Sequence, residues 1–338
     1  MTNNSTEPDT ARSAPARICL AGEDLDWLGG SSLQAAIDLR IRCALTLAPR
    51  PSGFEVRASG TLTGRASSAD VWTPADETWA DLARLAVTFH RARDDDRWPS
   101  RLDIVSAIPP GAGLASSAAL CVATLAISAD WAVPGEPIDA GLVVERELAG
   151  RDVGPMDYVP CTAGGVVRVF CHEGRIESVG QLEWPSDLAI VVVDTRRTRD
   201  TSEVIRWKRA RSQAGDPAIA AYVRRTTEVV ETLDALLADE APDPVAIGEA
   251  LDRAQSTLRE DMGVSDDVTD GCIEALKRQG ALGAKITGTG KGGCVFGVFP
   301  GAGAAVAVGA LVAEGFAATL TEVSKAGVCR ANCTDRRG

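Results

Sequence analysis

Apolar and polar positions alternate early in the chain and recur at helical spacing later. ARICLAG, Ala16 to Gly22, reads as a short strand, LQAAIDLRIRCALTLAPR from Leu33 as a second, and FEVRASGTL from Phe54 as its hairpin partner. DETWADLARLAVTFHRAR then sets Leu82, Leu85, Ala86 and Phe89 on one face of a helix. The strand LDIVSAI feeds IPPGAGLASSAAL, Ile108 to Leu120, where Pro and Gly end a strand and Ser followed by Ala and Leu opens a helix. Two short strands are expected around GGVVRVF, and LAIVVVDTRRTRD is a strand running into an Arg- and Thr-rich loop. Helices dominate afterwards. DPAIAAYVRRTTEVVETLDALL and DPVAIGEALDRAQSTLRE both open with Asp-Pro, a cap followed by proline at the first helical position. A further helix near Cys272 to Arg278 precedes AKITGTGKGGCVFGVF, which reads as strand, glycine turn, strand.

The 338 residues, 45% of them hydrophobic, suffice for two domains; a composition shift follows LAIVVVDTRRTRD, and a boundary just before that strand divides the chain into 15–186 and 187–331. The polar residues 1–14 lack the apolar core of a signal peptide and read as a disordered tail, giving a cytoplasmic expectation. Gly301 to Leu320 is weakly apolar, but its Gly and Ala content and Glu314 favour a packed surface helix over a membrane span. A net charge of −12 argues against a nucleic-acid partner and for a small metabolite. Nine cysteines without paired spacing, and only two histidines, disfavour a zinc site and a disulfide framework.

Three glycine-bounded stretches carry the chemistry. The Gly111 to Ser117 junction leaves N–H groups unpaired at a helix start, a seat for phosphate; the Ser116 and Ser117 hydroxyls either bind phosphate or Mg²⁺ or merely cap the helix. GTGKGG, Gly288 to Gly293, matches the letters of a dinucleotide fingerprint, yet a strand follows it where a helix is required. It also fails as a P-loop, because Lys285 occupies the earlier glycine position and glycine follows Lys291. GEDLDWLGGSS clusters Glu23, Asp24 and Asp26 in a loop that either accepts hydrogen bonds from a polyol or is solvated surface.

Together these stretches resemble the GHMP kinases, the superfamily of galactokinase, homoserine kinase, mevalonate kinase and phosphomevalonate kinase. IPPGAGLASSAAL is similar to the family's phosphate motif, KITGTGKGGCV to its C-terminal glycine motif, and RICLAGEDLDWLGG to the galactokinase opening that meets the sugar. TWADLARLAV, ERELAGRDVGPMDYV and STLREDMGVS extend the likeness to the galactokinase branch, and DWLGGSSLQAAI resembles the arabinokinase variant. Asp24, Leu28 and Val204 stand where galactokinases carry histidine, asparagine and tyrosine.

The resemblance implies an α+β, two-domain GHMP kinase fold: an N-terminal domain like the second domain of ribosomal protein S5, and a ferredoxin-like C-terminal domain. It implies ATP- and Mg²⁺-dependent transfer of the γ-phosphate to a sugar hydroxyl, the anomeric C1 hydroxyl being expected. Asp157 would be the base, with Arg17 as its cationic partner, though the same two could form an ordinary ion pair. Pro110, Gly111, Ala112, Gly113, Leu114, Ala115, Ser116 and Ser117 would hold ATP, with Trp79 either beside the adenine or simply core. Ser117 and Glu145 match the Mg²⁺ ligands. Glu23, Asp24, Asp26, Gly154, Gly288, Gly290 and Gly292 would surround the substrate. A mevalonate-like or amino-alcohol kinase, or a catalytically silent sensor of sugar and ATP, is the alternative.

Overall fold

In the computed structural model, the described residues are 11–71, 78–88, 97–128, 136–197 and 201–331. Their elements, in chain order, begin with β1 (Ala11–Ala21), α1 (Leu25–Leu28), β2 (Gly30–Ala48), β3 (Phe54–Gly60), β4 (Gly64–Ser68), α2 (Thr78–Val87) and β5 (Trp98–Ser106). There follow α3 (Ser116–Ser128), α4 (Glu136–Leu142), a π-helical turn at Val143–Leu148, α5 (Tyr158–Ala163), β6 (Val166–His172) and β7 (Arg175–Leu182). The second lobe holds β8 (Leu188–Asp194), α6 (Thr201–Gln213), α7 (Pro217–Ala238), α8 (Pro244–Thr257), α9 (Asp267–Arg278), β9 (Gly283–Ile286), β10 (Cys294–Pro300), α10 (Gly301–Ala313) and β11 (Ala317–Thr321). The last described strand is β12 (Cys329–Arg330).

The first sheet runs β12-β1-β2-β5-β3-β4, with β6 and β7 attached beside the start of β2. At 19 residues, β2 is long enough to serve two partners on one edge, β6 from Gly30 to Ala35 and β5 from Ile41 to Ala48. This overturns the expected hairpin between β2 and FEVRASGTL. Strand β3 instead lies parallel to β5 and antiparallel to β4, so β5 separates it from β2. The tail boundary also moves. Residues 11 to 14 belong to β1, whereas residues 1–10 lie outside the described residues.

The second sheet is antiparallel in the order β11-β8-β10-β9, the fourth, first, third and second strands of that lobe. That order is ferredoxin-like, as the resemblance implied. Both faces are covered, which explains the unbroken apolar run of β8. Ile190 and Val192 join the core shared with the first lobe, while Val191 and Val193 join the core with α9 and α10. The Asp-Pro starts of α7 and α8 form as expected: the Asp216 and Asp243 side chains accept from Ala218 N and Val245 N, each at 2.9 Å. Helix α2 keeps Leu82 and Ala86 buried, but Phe89 of its expected apolar face lies outside the described residues. The expected helix from Gly301 stops at Ala313 and gives way to β11 after Gly315. No described helix is long and apolar enough to cross a membrane.

Strand β12 returns to the first sheet, pairing Arg12 with Arg330 and Ser13 with Cys329 on the outer edge of β1. Arg40 fastens the returning segment, donating to Ala326 O at 3.0 Å and Gly327 O at 2.7 Å.

Candidate active site

After β5 the chain turns through Gly111 (φ 68°), Gly113 (φ 75°) and Ala115 (φ 59°) before α3 begins at Ser116. Left-handed backbone suits glycine and is uncommon for alanine, so Ala115 marks a locally constrained turn. The carbonyls are directed inward: Ala112 O accepts from Cys294 N at 2.7 Å, Gly113 O from Arg17 Nη1 at 2.6 Å, and Leu114 O from Arg17 N at 3.1 Å. Among the described residues, none of the backbone N–H groups from Gly111 to Ser117 donates to a backbone carbonyl. With the start of a 13-residue helix behind them, they form a cradle for an anion. Beside it opens a cavity of about 270 Å³, lined by Trp79, Leu82, Ile108, Pro110 and Leu120 together with both serines. Trp79 therefore stands in a cavity wall rather than in sealed core.

Glu145 sits in the π-helical turn at 1% exposure. Burial pushes its carboxyl up, opposed by Tyr158 Oη donating at 2.8 Å, by Arg151 at 3.3 Å and by a hydrogen bond with Ser117. The Ser117 hydroxyl and the Glu145 carboxylate thus meet at the start of α3. Two adjacent hard oxygens fit Mg²⁺, which keeps most of its waters and needs few protein ligands.

Arg17 and Asp157, 140 residues apart in the chain, converge. Nε and Nη2 of Arg17 both donate to Asp157 Oδ1, at 2.9 Å and 2.6 Å, while Nη1 holds Gly113 O. One guanidinium ties the carboxylate to the Gly111–Ser117 turn. Arg17 is 3% exposed and the Asp157 side chain 31%, so the carboxylate is reachable and its partner is not.

The acidic loop divides into three fates. Glu23 pairs with Lys285, which also donates to Cys19 O at 2.9 Å and Ile286 O at 2.7 Å; Tyr222 Oη caps Glu23 O at 2.6 Å. Asp24, in left-handed backbone at φ 68°, pairs with Lys208 and accepts from Trp27 Nε1 at 3.1 Å. Both carboxylates are therefore engaged by the protein itself. Asp26 has no cationic partner among the described residues. Burial first, then the Asp157 and Asp24 carboxylates, push its carboxyl up to about 7.

Gly154 makes room for Asp26: a Cβ there would fall 1.3 Å from Asp26 Oδ2. Gly288 faces the cradle, where a Cβ would lie 2.9 Å from Gly113 O. At Gly290 and Gly292 a Cβ would meet Val264 and the Arg197 backbone, so the absence of a side chain there serves the packing of the loop. Lys208, Tyr158 and Tyr222 went unnoticed in the sequence, and Lys285 was noted only as a departure from the P-loop pattern, not as the partner of Glu23. Only Lys285, a charge inside the apolar strand AKI, left any signal there.

Asp26 yields a stability prediction. Its folded carboxyl titrates near 7 and an unfolded one near 3.8, so between those values the native state keeps a proton the unfolded chain has lost. Stability attributable to this group falls as pH rises through that window and levels off above 7. Asp26→Asn is expected to add about 1–2 kcal/mol at pH 8, with the gain shrinking toward pH 4, measured by urea denaturation. An equal gain at both pH values rules out the titration of Asp26 as its source.

Residues 81–165 match the GHMP kinases N terminal domain, residues 232–317 the GHMP kinases C terminal family, and residues 3–47 the galactokinase galactose-binding signature. The chain is 30% identical over 301 residues to a mevalonate kinase of Aeropyrum pernix, covering 85% of this chain and 87% of that one. It is 28% identical over 323 residues to a galactokinase of Mycobacterium bovis, covering 85% and 88%. Its fold matches the Lactococcus lactis galactokinase complexed with galactose at a TM-score of 0.74 and 19% identity, covering 94% of this chain and 93% of that one.

Proposed function

The chain belongs to the GHMP kinases, and from that premise we propose that it transfers the γ-phosphate of ATP to a sugar hydroxyl, the anomeric C1 hydroxyl, with Asp157 as the base. The observation that carries this reading is the contact of Arg17 with both Asp157 and Gly113 O, which sets a proton acceptor beside a phosphate seat. Phosphoryl transfer passes through a loose transition state, so the protein's work is to position the reactants and to stabilise charge. Asp157 takes the hydroxyl proton as the oxygen attacks. Arg17 holds that carboxylate in place. The N–H groups from Gly111 to Ser117 orient the phosphates, and Trp79 and Leu82 enclose the base. Ser117 and Glu145 would hold Mg²⁺, which when bound supplies positive charge to the phosphate oxygens.

The acceptor class follows from Asp26. A neutral polyol can hydrogen-bond to the buried Asp26 carboxyl in either protonation state, whereas the carboxylate of mevalonate would be repelled by its ionised form, above a pH of about 7. Mevalonate kinases among the relatives keep that substrate in the test, and an amino alcohol, whose ammonium would pair with Asp26, is the second reading this carboxylate admits. A panel of sugars, mevalonate and amino alcohols with ATP and Mg²⁺ is to be followed by ADP release, and the phosphorylated position then read by NMR. ADP release with mevalonate alone rejects the sugar reading. Binding of ATP and sugar without ADP release identifies a sensor.

A further inference from the structure

Two lysines of the second lobe reach the acidic loop, and they are bonded differently. Lys285 Nζ has three acceptors, Glu23, Cys19 O and Ile286 O, which uses every N–H of an ammonium. Lys208 is equally enclosed, yet among the described residues its one acceptor is Asp24 Oδ2. An ammonium that leaves two donors without an acceptor among the described residues is less well satisfied than Lys285, so charge burial alone is a poor reason for it to be there.

Its neighbour on α6 extends the contact. Arg209 Nη2 lies 2.9 Å from Asp152 Oδ1, and its guanidinium sits 5.3 Å from the ring centre of Trp27. Trp27 in turn donates to Asp24 Oδ1. One turn of α6 thus grips both segments that meet where Gly154 packs on Asp26: the loop carrying Asp26, and the stretch from Asp152 that carries Gly154 and Asp157. The fit between them is close, because Gly154 leaves no space for a Cβ beside Asp26. Asp24 also holds a left-handed backbone, which persists only where surrounding bonds impose it.

We propose that Lys208 and Arg209 are positioning residues that set acceptor specificity by fixing Asp26 against Asp157, an inference that rests on the sugar-kinase reading above. The acceptor class it selects is a polyol with a second hydroxyl near the reacting one, since Asp157 takes the first and Asp26 the second. A simple alcohol with one hydroxyl gains nothing from this brace.

Lys208→Met is expected to raise the acceptor KM about ten-fold while kcat changes by less than about three-fold. Asp24→Asn/Lys208→Met removes the carboxylate that the single change leaves unpaired. This double variant is expected to regain the wild-type melting temperature yet keep the raised KM, and to exchange the amides of residues 22–29 faster with deuterium. A role confined to charge burial restores KM and exchange along with melting temperature, and that result overturns the proposal. Arg209→Gln, at a half-exposed position, is expected to raise the acceptor KM about three-fold with melting unchanged; a wild-type KM there overturns it as well. Amide exchange needs no acceptor. A wild-type protein that phosphorylates no sugar therefore refutes the function, while faster exchange of residues 22–29 in the double variant still supports the brace and wild-type exchange refutes it.

Discussion

Replacement of Asp157 by Asn is expected to lower kcat by about 10²- to 10⁴-fold, the range that loss of a positioned base produces, with ATP affinity close to wild type. The substitution removes the proton acceptor and little else. The Asn carbonyl still accepts from Nε and Nη2 of Arg17, so the guanidinium keeps its hydrogen bonds and continues to hold Gly113 O. Arg17 is 3% exposed and loses its counter-charge, while the Asp157 side chain is 31% exposed and the Asn keeps the hydrogen bonds, so a moderate loss of stability, smaller than that of a fully buried pair, is expected alongside the kinetic effect. Single-turnover kinetics with the accepted sugar, together with calorimetric titration of a non-hydrolysable ATP analogue, separate chemistry from binding. Wild-type turnover in this variant rejects Asp157 as the base.

Lys285→Met is expected to destabilise the protein by about 3–5 kcal/mol, the cost of stripping one partner from a buried pair. Lys285 is fully enclosed and Glu23 is 3% exposed, so the remaining carboxylate has neither a cation nor water. Cys19 O and Ile286 O lose their donor as well. The bond spans the lobes, from β9 to the loop after β1, so its loss loosens the acceptor side from the second sheet. Urea denaturation at pH 7 measures the effect, and Glu23→Gln/Lys285→Met is expected to recover part of it. A single variant within about 1 kcal/mol of wild type contradicts the role assigned to Lys285.

The sequence disclosed the glycine turns because their chemistry is local. Pro-Pro-Gly before Ser-Ser, and Asp-Pro at two helix starts, dictate backbone geometry within a few residues, and the structure follows them. The partnership of Arg17 with Asp157 was legible only through likeness to a family, since nothing near either residue names a partner 140 positions away. The acidic loop was visible as a cluster, but not its division of labour. Which carboxylate stays free depends on Lys208 and Lys285, placed by elements 184 and 262 residues further along. Strand pairing failed for a related reason. The alternation in FEVRASGTL is right for a strand, but β5, more than 40 residues later, inserts beside β2, and periodicity carries no information about neighbours. The π-helical turn that presents Glu145 has no signature in VVEREL at all.

The return of β12 to β1 bears on biogenesis. The outer edge of β1 at Arg12 and Ser13 stays unpaired until β12, the last described strand, has been synthesised about 300 residues later, because β12 is its partner. At elongation rates of about 5–20 residues per second, that edge waits on the order of tens of seconds, open to pairing with a neighbouring nascent chain. Truncations before Cys329 would make the wait permanent, and soluble yield rather than turnover would register it first.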